Sequence, residues 1–249
     1  MIRGPELRKF ITVLIIFSSL SLNAALSADD LLKASDQGRG GIAVGMEWTA
    51  EIETFEDSEK SVRKFNVKTL DHDAYVEAKE PAKNKGEVYI FNDRNMWFYK
   101  PSLKKPVSIS ARQKLSGQAS NGDIASTHYA RDYSAVLERR ENLNGEDFYV
   151  LLLKAKSKNL TYDQIRYWIS AKSKLAEKAE FLTLQGKPFK VGVLEYLNKL
   201  NVNGKPIAFV SSMTITDSKF PENKSIIRYS APRTVAHSSS LFNVNNLTR

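Results

Sequence analysis

From Met46 to Glu53 the chain reads Met-Glu-Trp-Thr-Ala-Glu-Ile-Glu, apolar at every even position and polar at every odd one. A period of two belongs to a half-buried β-strand, because successive side chains of an extended backbone point to opposite faces. Further strands are predicted over 62–70, 74–79, 87–91, 95–100, 135–142, 148–155, 164–170, 176–184, 189–200, 207–217 and 225–230. Asp57-Ser58, Asp71-His-Asp73, Asn144-Gly145, Gln185-Gly186 and Asn203-Gly204 fall at the turns, and Asn-Gly tolerates the positive φ of a tight hairpin. In 207–217, Ile207, Phe209, Met213 and Ile215 share one face, with Ser211 as its polar exception. Consecutive strands joined by short turns make an antiparallel meander of about ten strands, not βαβ units. The fold class is therefore mainly β.

Two stretches depart from this pattern. Asp29–Gln37 reads as a short helix with acids in its first turn, ended by Gly38, Gly40 and Gly41. Ser110 to Arg131 is poor in strand formers and rich in Gly, Ser, Ala and Asn, and Asp123 is placed to cap a helix over 124–129. A long excursion inside a meander is either a solvated loop or a functional lid.

The N-terminus is a targeting signal by its order of parts. Arg3, Arg8 and Lys9 precede the apolar run Phe10–Leu22, small residues follow to Ala28, and Asp29-Asp30 comes next. The run is too short for a spanning helix, so residues 1–28 read as a cleaved signal peptide, with cleavage after Ser27 or Ala28, and 29–249 as a single domain. Removing 28 of 249 residues takes away three positive charges and Glu6, which lowers the net charge from +9 to +7. The chain has no cysteine, which excludes disulfides, thiolate metal sites, a Cys nucleophile and a lipidated N-terminal cysteine. Export also turns the basic balance away from nucleic acid and toward anionic lipid surfaces or acidic partners.

Chemical motifs fail their tests. Gly38-Arg-Gly40-Gly-Ile-Ala43 matches a loose dinucleotide pattern but follows a helix and precedes a strand, the reverse of the required context. Around Ser120 the glycines of a nucleophile elbow are misplaced, and no Asp–His pair is tied to it by spacing. Asp71-His72-Asp73 reads as a polar turn, and only His72, His128 and His237 supply imidazoles. No catalytic residue, metal ligand or cofactor is assigned, and a hydrolase built on Ser120 ranks far below a binding protein.

The unusual segment is Asn95-Met-Trp-Phe-Tyr-Lys-Pro-Ser-Leu-Lys-Lys-Pro-Val-Ser-Ile-Ser110, where four successive large apolar residues leave neither face of a strand polar. Both faces must then be covered, one of them by a removable ligand or by the chain itself. Met96 and Phe98 point one way, Trp97 and Tyr99 the other. Trp48, Ile52, Phe209 and Met213 also lie on clearly apolar faces, and these eight residues are the candidate walls of an apolar cavity. Lys100, Lys104, Lys105 and Arg112 follow with no acid up to Gly122, and would form a rim that meets anionic headgroups. The same residues equally suit a plain core strand followed by a solvated loop.

Together with Glu87-Val-Tyr-Ile-Phe-Asn92, Ser116-Gly117, Gly122-Asp123-Ile124, Arg39-Gly40-Gly41 and Phe242-Asn-Val-Asn-Asn-Leu247, this segment resembles the LolA-like family of outer-membrane lipoprotein-sorting proteins. Trp97, Tyr99, Pro101 and Leu103 are the matching motif positions. The resemblance implies a strongly curved antiparallel sheet, an incomplete β-barrel of LolA/LolB type, closed on its concave side by a few helices. It further implies a periplasmic carrier holding lipoprotein acyl chains or lipid, with an inner-membrane transporter as a further partner. This chain is longer than the best-known carriers. That departure keeps open a second role, a sensor that detects lipids or mislocalised lipoproteins and signals to a membrane partner.

Overall fold

The computed structural model describes residues 26–125 and 127–248; the apolar run Phe10–Leu22 lies outside the described residues. Helix α1 (Ala28–Gln37) comes first, with Ser27 as its N-cap: the Ser27 hydroxyl accepts from Asp30 N. A first meander follows: β1 (Met46–Glu56), β2 (Glu59–Leu70), β3 (Asp73–Glu80), β4 (Val88–Asn92), β5 (Asn95–Tyr99) and β6 (Val107–Ile109). The excursion holds the small β7 (Lys114–Ser116) and β8 (Ala119–Ser120) pair, a 3-10 turn over Asn121–Ile124, and α2 (Tyr129–Asp132). A second series comprises β9 (Tyr133–Leu143), β10 (Glu146–Ala155), β11 (Gln164–Ser170), β12 (Ala176–Leu182), β13 (Pro188–Glu195), β14 (Asn198–Val202), β15 (Lys205–Phe209), β16 (Ser212–Asp217) and β17 (Lys224–Thr234).

Thirteen of these strands form one antiparallel sheet in the order β6-β5-β4-β3-β2-β1-β17-β16-β13-β12-β11-β10-β9. The first and last long strands pair, so the two series fuse at β1–β17 and leave β6 and β9 as free edges. The sheet is an open, mainly-β half-barrel, and the excursion is the stretch of chain that runs from one edge to the other. Short hairpins hold the register. At Asp57-Ser58, Asn144-Gly145 and Asn203-Gly204 both turn residues have positive φ, the signature of the tightest hairpin turns.

Thirteen strands in the sheet correct the expected ten, and two expected strands are each broken in two. The chain leaves the sheet after Glu195 and returns at Ser212, so 189–200 and 207–217 split, and β14–β15 forms a separate hairpin. Ser211 is polar because it stands at that crossing: its N–H donates to Glu195 O, its carbonyl accepts from Tyr229 N, and its hydroxyl accepts from Leu197 N.

One face of the sheet is a continuous apolar wall. Met46, Trp48, Ala50, Ile52, Phe65, Val67, Val76, Leu151, Ile165, Phe181, Met213 and Ile227 all lie in a single buried cluster with Leu31 and Leu32 of α1. A second, small cluster of Phe148, Val150 and Trp168 lies on the opposite face. There Lys178 Nζ stands 4.2 Å from the Trp168 ring and Glu141 accepts its indole N–H.

Candidate functional site

The concave wall is covered by α1 and by the excursion. Ala111, Leu115, Ala119, Ile124 and Tyr129 of the excursion are buried in the same cluster as the sheet. Its polar groups are tied down separately. Thr54 Oγ1 lies 2.9 Å from Ser116 Oγ, Ser225 Oγ accepts from Gln118 N and donates to Ser116 O, and Lys190 Nζ donates to Gln118 O at 2.6 Å. Arg63 Nη1 donates to Leu115 O. Gly117 and Gly122 are needed for this approach: a Cβ would stand 2.2 Å from Thr54 Cγ2 in the first case and 1.8 Å from Thr161 Oγ1 in the second.

Ser120 and Asp123 form a reciprocal capping box around the 3-10 turn, with Ser120 N donating to Asp123 Oδ2 at 2.8 Å. Asp123 therefore sits inside the turn and does not cap a helix over 124–129; the helix starts at Tyr129. The Tyr162 hydroxyl donates to the Asp123 carboxylate, 2.9 and 3.0 Å from its two oxygens. Burial raises the Asp123 pKa, against the pull of Lys190, the Ser120 N–H and the Tyr162 hydroxyl. The neighbouring Lys190 ammonium is pushed the other way by burial, to a lower pKa. Ser120 is thus a turn residue. His128 Nε2 lies 2.8 Å from Asp71 O and His237 Nε2 3.1 Å from Met46 O, so both imidazoles serve elsewhere.

A second tie joins the end of α1 to α2. Asp36 Oδ2 accepts from Ala130 N at 2.8 Å, and the Asp36 carbonyl accepts from Arg39 N and Gly41 N. Asp36 Oδ1 is buried without a hydrogen-bond partner among the described residues, and burial pushes the carboxyl pKa up to about 7. Gly41 is required here, since a Cβ would stand 2.6 Å from Asp36 Cβ and 2.8 Å from Thr127 O. The buried Arg39 guanidinium stacks 4.3 Å from the Tyr129 ring centre and donates to the Tyr167 hydroxyl at 3.3 Å.

Between the two free edges runs a seam. Met96 and Ala111 line one side and Tyr133, Leu160 and Thr161 the other, around about 30 Å³ of space, room for ordered water. Ion pairs stitch it at Arg94–Asp132 (3.1 Å) and Arg112–Asp163 (2.7 Å).

Of the eight apolar candidates, Trp48, Ile52, Met96 and Met213 are buried on the concave wall, Phe209 of the separate β14–β15 hairpin is buried against it, and Phe98 is half-buried there. Trp48 and Phe209 meet at 5.7 Å, and the Trp48 Nε1–H has no partner among the described residues. Trp97 and Tyr99 point to the other face, paired with Ile90 and Val88. That convex face is covered by the chain itself: the 3-10 turn Ser239–Phe242 packs on β3 and β4, Phe242 is fully buried, and Asn92 donates to its carbonyl. The basic candidates separate. Lys100, Lys104 and Lys105 are exposed at the tip of the β5–β6 hairpin, whereas Arg112 lies at the seam, at the far end of the short β5–β6 ladder. Lys190, Tyr162 and Asp36 went unmarked in the sequence; only the Ser120-x-x-Asp123 spacing carried a readable signal, that of a capping box.

An open antiparallel half-barrel whose apolar concave face is roofed by a helix and a crossing segment defines a class of its own. The solved structures agree. A LolA superfamily protein from Nitrosomonas europaea is 26% identical, with a TM-score of 0.80 over 89% of this chain and all of that one. A proposed outer membrane lipoprotein-sorting protein domain from Vibrio parahaemolyticus (20% identity, TM-score 0.73, 89% of this chain and 98% of that one) shares the fold. So does a DUF1329 family protein from Desulfovibrio piger (21%, 0.72, 88% and 97%). The model of a family described as "uncharacterized protein" matches residues 70–249. The chain belongs to that family, and its family is LolA-like. No curated protein sequence matches it. Among the described residues, no helix is long and apolar enough to cross a membrane.

Proposed function

We propose that residues 29–249 form a single-domain periplasmic carrier, released from a signal peptide, that holds lipoprotein acyl chains or lipid between the concave sheet face and its cover. The observation that carries this reading is the division of the concave side into an unbroken apolar wall and a separate roof held by discrete polar ties at Thr54, Ser225, Lys190, Asp123 and Asp36. Such a roof lifts without breaking a sheet hydrogen bond. An acyl chain gains about 0.8 kcal/mol for each CH₂ it buries, so a wall of this kind is a sufficient binding device and needs no catalytic group. Trp48, Ile52, Met96, Phe98, Phe209 and Met213 are the wall residues an acyl chain would touch, with the unpaired Trp48 N–H available to an ester carbonyl. An inner-membrane transporter would deliver the cargo. The kinship with a LolA superfamily protein supports the same reading.

Native mass spectrometry of the protein purified from its own host tests it. Co-purifying acyl species that disappear on exchange with detergent are expected. A protein that is always empty, and gains no mass when incubated with diacyl lipid or acylated peptide, would remove the carrier role.

A further inference from the structure

Two loops on either side of the β4–β5 hairpin meet at one corner of the half-barrel. Gly86, in the β3–β4 connection, sits where an added Cβ would be 3.5 Å from Pro101 Cγ in the β5–β6 hairpin tip. This contact brings Lys83 and Lys85 beside Lys100, Lys104 and Lys105, all five exposed. Neither 81–86 nor 100–107 contains an acid. The nearby Glu87 is already occupied by Arg63 at 3.0 Å and by Asn84 at 2.9 Å. None of the five lysines has an ion-pair partner among the described residues, although most of the other surface cations of this sheet edge do, as at Lys64–Glu80 and Lys79–Glu77. Apolar surface lies beside the charge. Val107 is 41% exposed and pairs with the half-buried Phe98, and Leu103 is half-buried in the tip.

We propose that this corner is a docking surface for an anionic lipid bilayer, with Lys83, Lys85, Lys100, Lys104 and Lys105 at the headgroups and Val107 at their boundary. Like charges gathered by folding, and left without counter-ions, repel one another and persist only at a cost unless an external anion meets them. Clustered lysines flanking exposed apolar residues match the two components of interfacial binding, Coulombic attraction and shallow burial. A flat array of anionic headgroups fits five cations spread over two loops. The assignment rests on the carrier reading only for its purpose: the corner lies at one end of β5, whose Met96 and Phe98 belong to the proposed acyl wall, so docking there sets that wall beside the membrane.

Sedimentation with vesicles of phosphatidylethanolamine and phosphatidylglycerol, against phosphatidylcholine alone, reads the docking directly. A lysine near an anionic surface contributes about fivefold in affinity. Lys83→Gln with Lys85→Gln, and separately Lys104→Gln with Lys105→Gln, should each lower binding to the anionic vesicles by about 25-fold, with larger losses for the Glu versions. Lys199→Gln with Lys205→Gln, an equal change of charge on the exposed β14–β15 hairpin, should change it less than twofold. Equal losses in all three pairs would reduce the effect to net charge and overturn the proposal. So would an absence of vesicle binding at low salt, which would leave an acidic protein as the partner. Circular dichroism of each variant confirms folding, and among the described residues none of these exposed lysines makes a side-chain hydrogen bond or ion pair that the substitutions would remove. The carrier reading fails separately: an acyl-free protein that docks through this corner keeps the surface and loses the cargo, and a loaded protein indifferent to these lysines does the reverse.

Discussion

Two buried carboxylates hold the cover in place, Asp123 by tying the excursion to Tyr162 of the half-barrel and Asp36 by tying α1 to α2 within the cover, and they are satisfied to different degrees. Asp123 accepts from Ser120 N and from the Tyr162 hydroxyl at both oxygens, and lies in the field of Lys190. Asp36 Oδ2 accepts from Ala130 N, its Oδ1 has no partner among the described residues, and the carboxyl has Asp132 as well as Arg39 among its neighbours. A buried charge is tolerated when its lone pairs are occupied, and is otherwise replaced by its neutral form. The Tyr162–Asp123 tie is therefore a fixed clasp. The Asp36 tie changes state near neutral pH, because burial holds that carboxyl at about 7, against 3.8 unfolded.

The largest expected effect follows from that difference. Between the unfolded value of 3.8 and the folded value of about 7, the folded protein binds the Asp36 proton more tightly than the unfolded chain does. Its stability must therefore fall as pH rises through this window, by up to about 4 kcal/mol, and level off above it. His128, whose pKa burial lowers, gives the opposite slope below its ordinary 6.5, because there the unfolded chain holds the extra proton. Urea unfolding of the wild type and of Asp36→Asn from pH 4.5 to 8 separates the two, since His128 cancels in the difference. A difference curve that is flat across this range would show that Asp36 titrates normally and that the contrast between the two carboxylates is not real.

Next in size is Asp123→Ala. It removes the acceptor of the Tyr162 hydroxyl and of Ser120 N, breaks the capping box, and leaves Lys190 buried without its compensating charge. A loss of about 3 kcal/mol is expected in urea. A loss below 1 kcal/mol would mean that Asp123 is no clasp.

The half of the molecule that can be read from sequence is the half that repeats. Alternation marked most strands of the sheet to within a few residues, but the short edge strand β6 (Val107–Ile109) had no expected counterpart and β5 was read from its apolar run instead; Asn144-Gly145 and Asn203-Gly204 marked true hairpins. The breaks at Tyr196-Leu197 and Val210-Ser211 were hidden, because β14 and β15 keep the same period while leaving the sheet. Only Ser211, polar on an apolar face, signalled the crossing. The double-faced apolar strand at Met96–Tyr99 did announce two covers, but not that the turn at Phe242, some 140 residues later, packs on the neighbouring β3 and β4. The concave candidates were legible because burial leaves a pattern. The ties were not, since Asp36, Tyr162 and Lys190 are single residues whose partners only folding brings together, and no local period betrays them.

The smallest effect is the sharpest test of the clasp. Tyr162 stacks on Phe181 with ring centres 3.9 Å apart and planes at 20°, so Tyr162→Phe keeps the ring packing and deletes only the hydroxyl. Asp123 would keep Ser120 N and lose its one side-chain donor, a change of about 1 kcal/mol in global stability. Hydrogen exchange localises it. Amides of 114–124, held by this clasp, should exchange faster in the variant, whereas those of 127–132, held by Asp36, should keep their protection. Faster exchange throughout 114–132 would show that the roof opens as one body, and the two carboxylates would then be parts of a single latch.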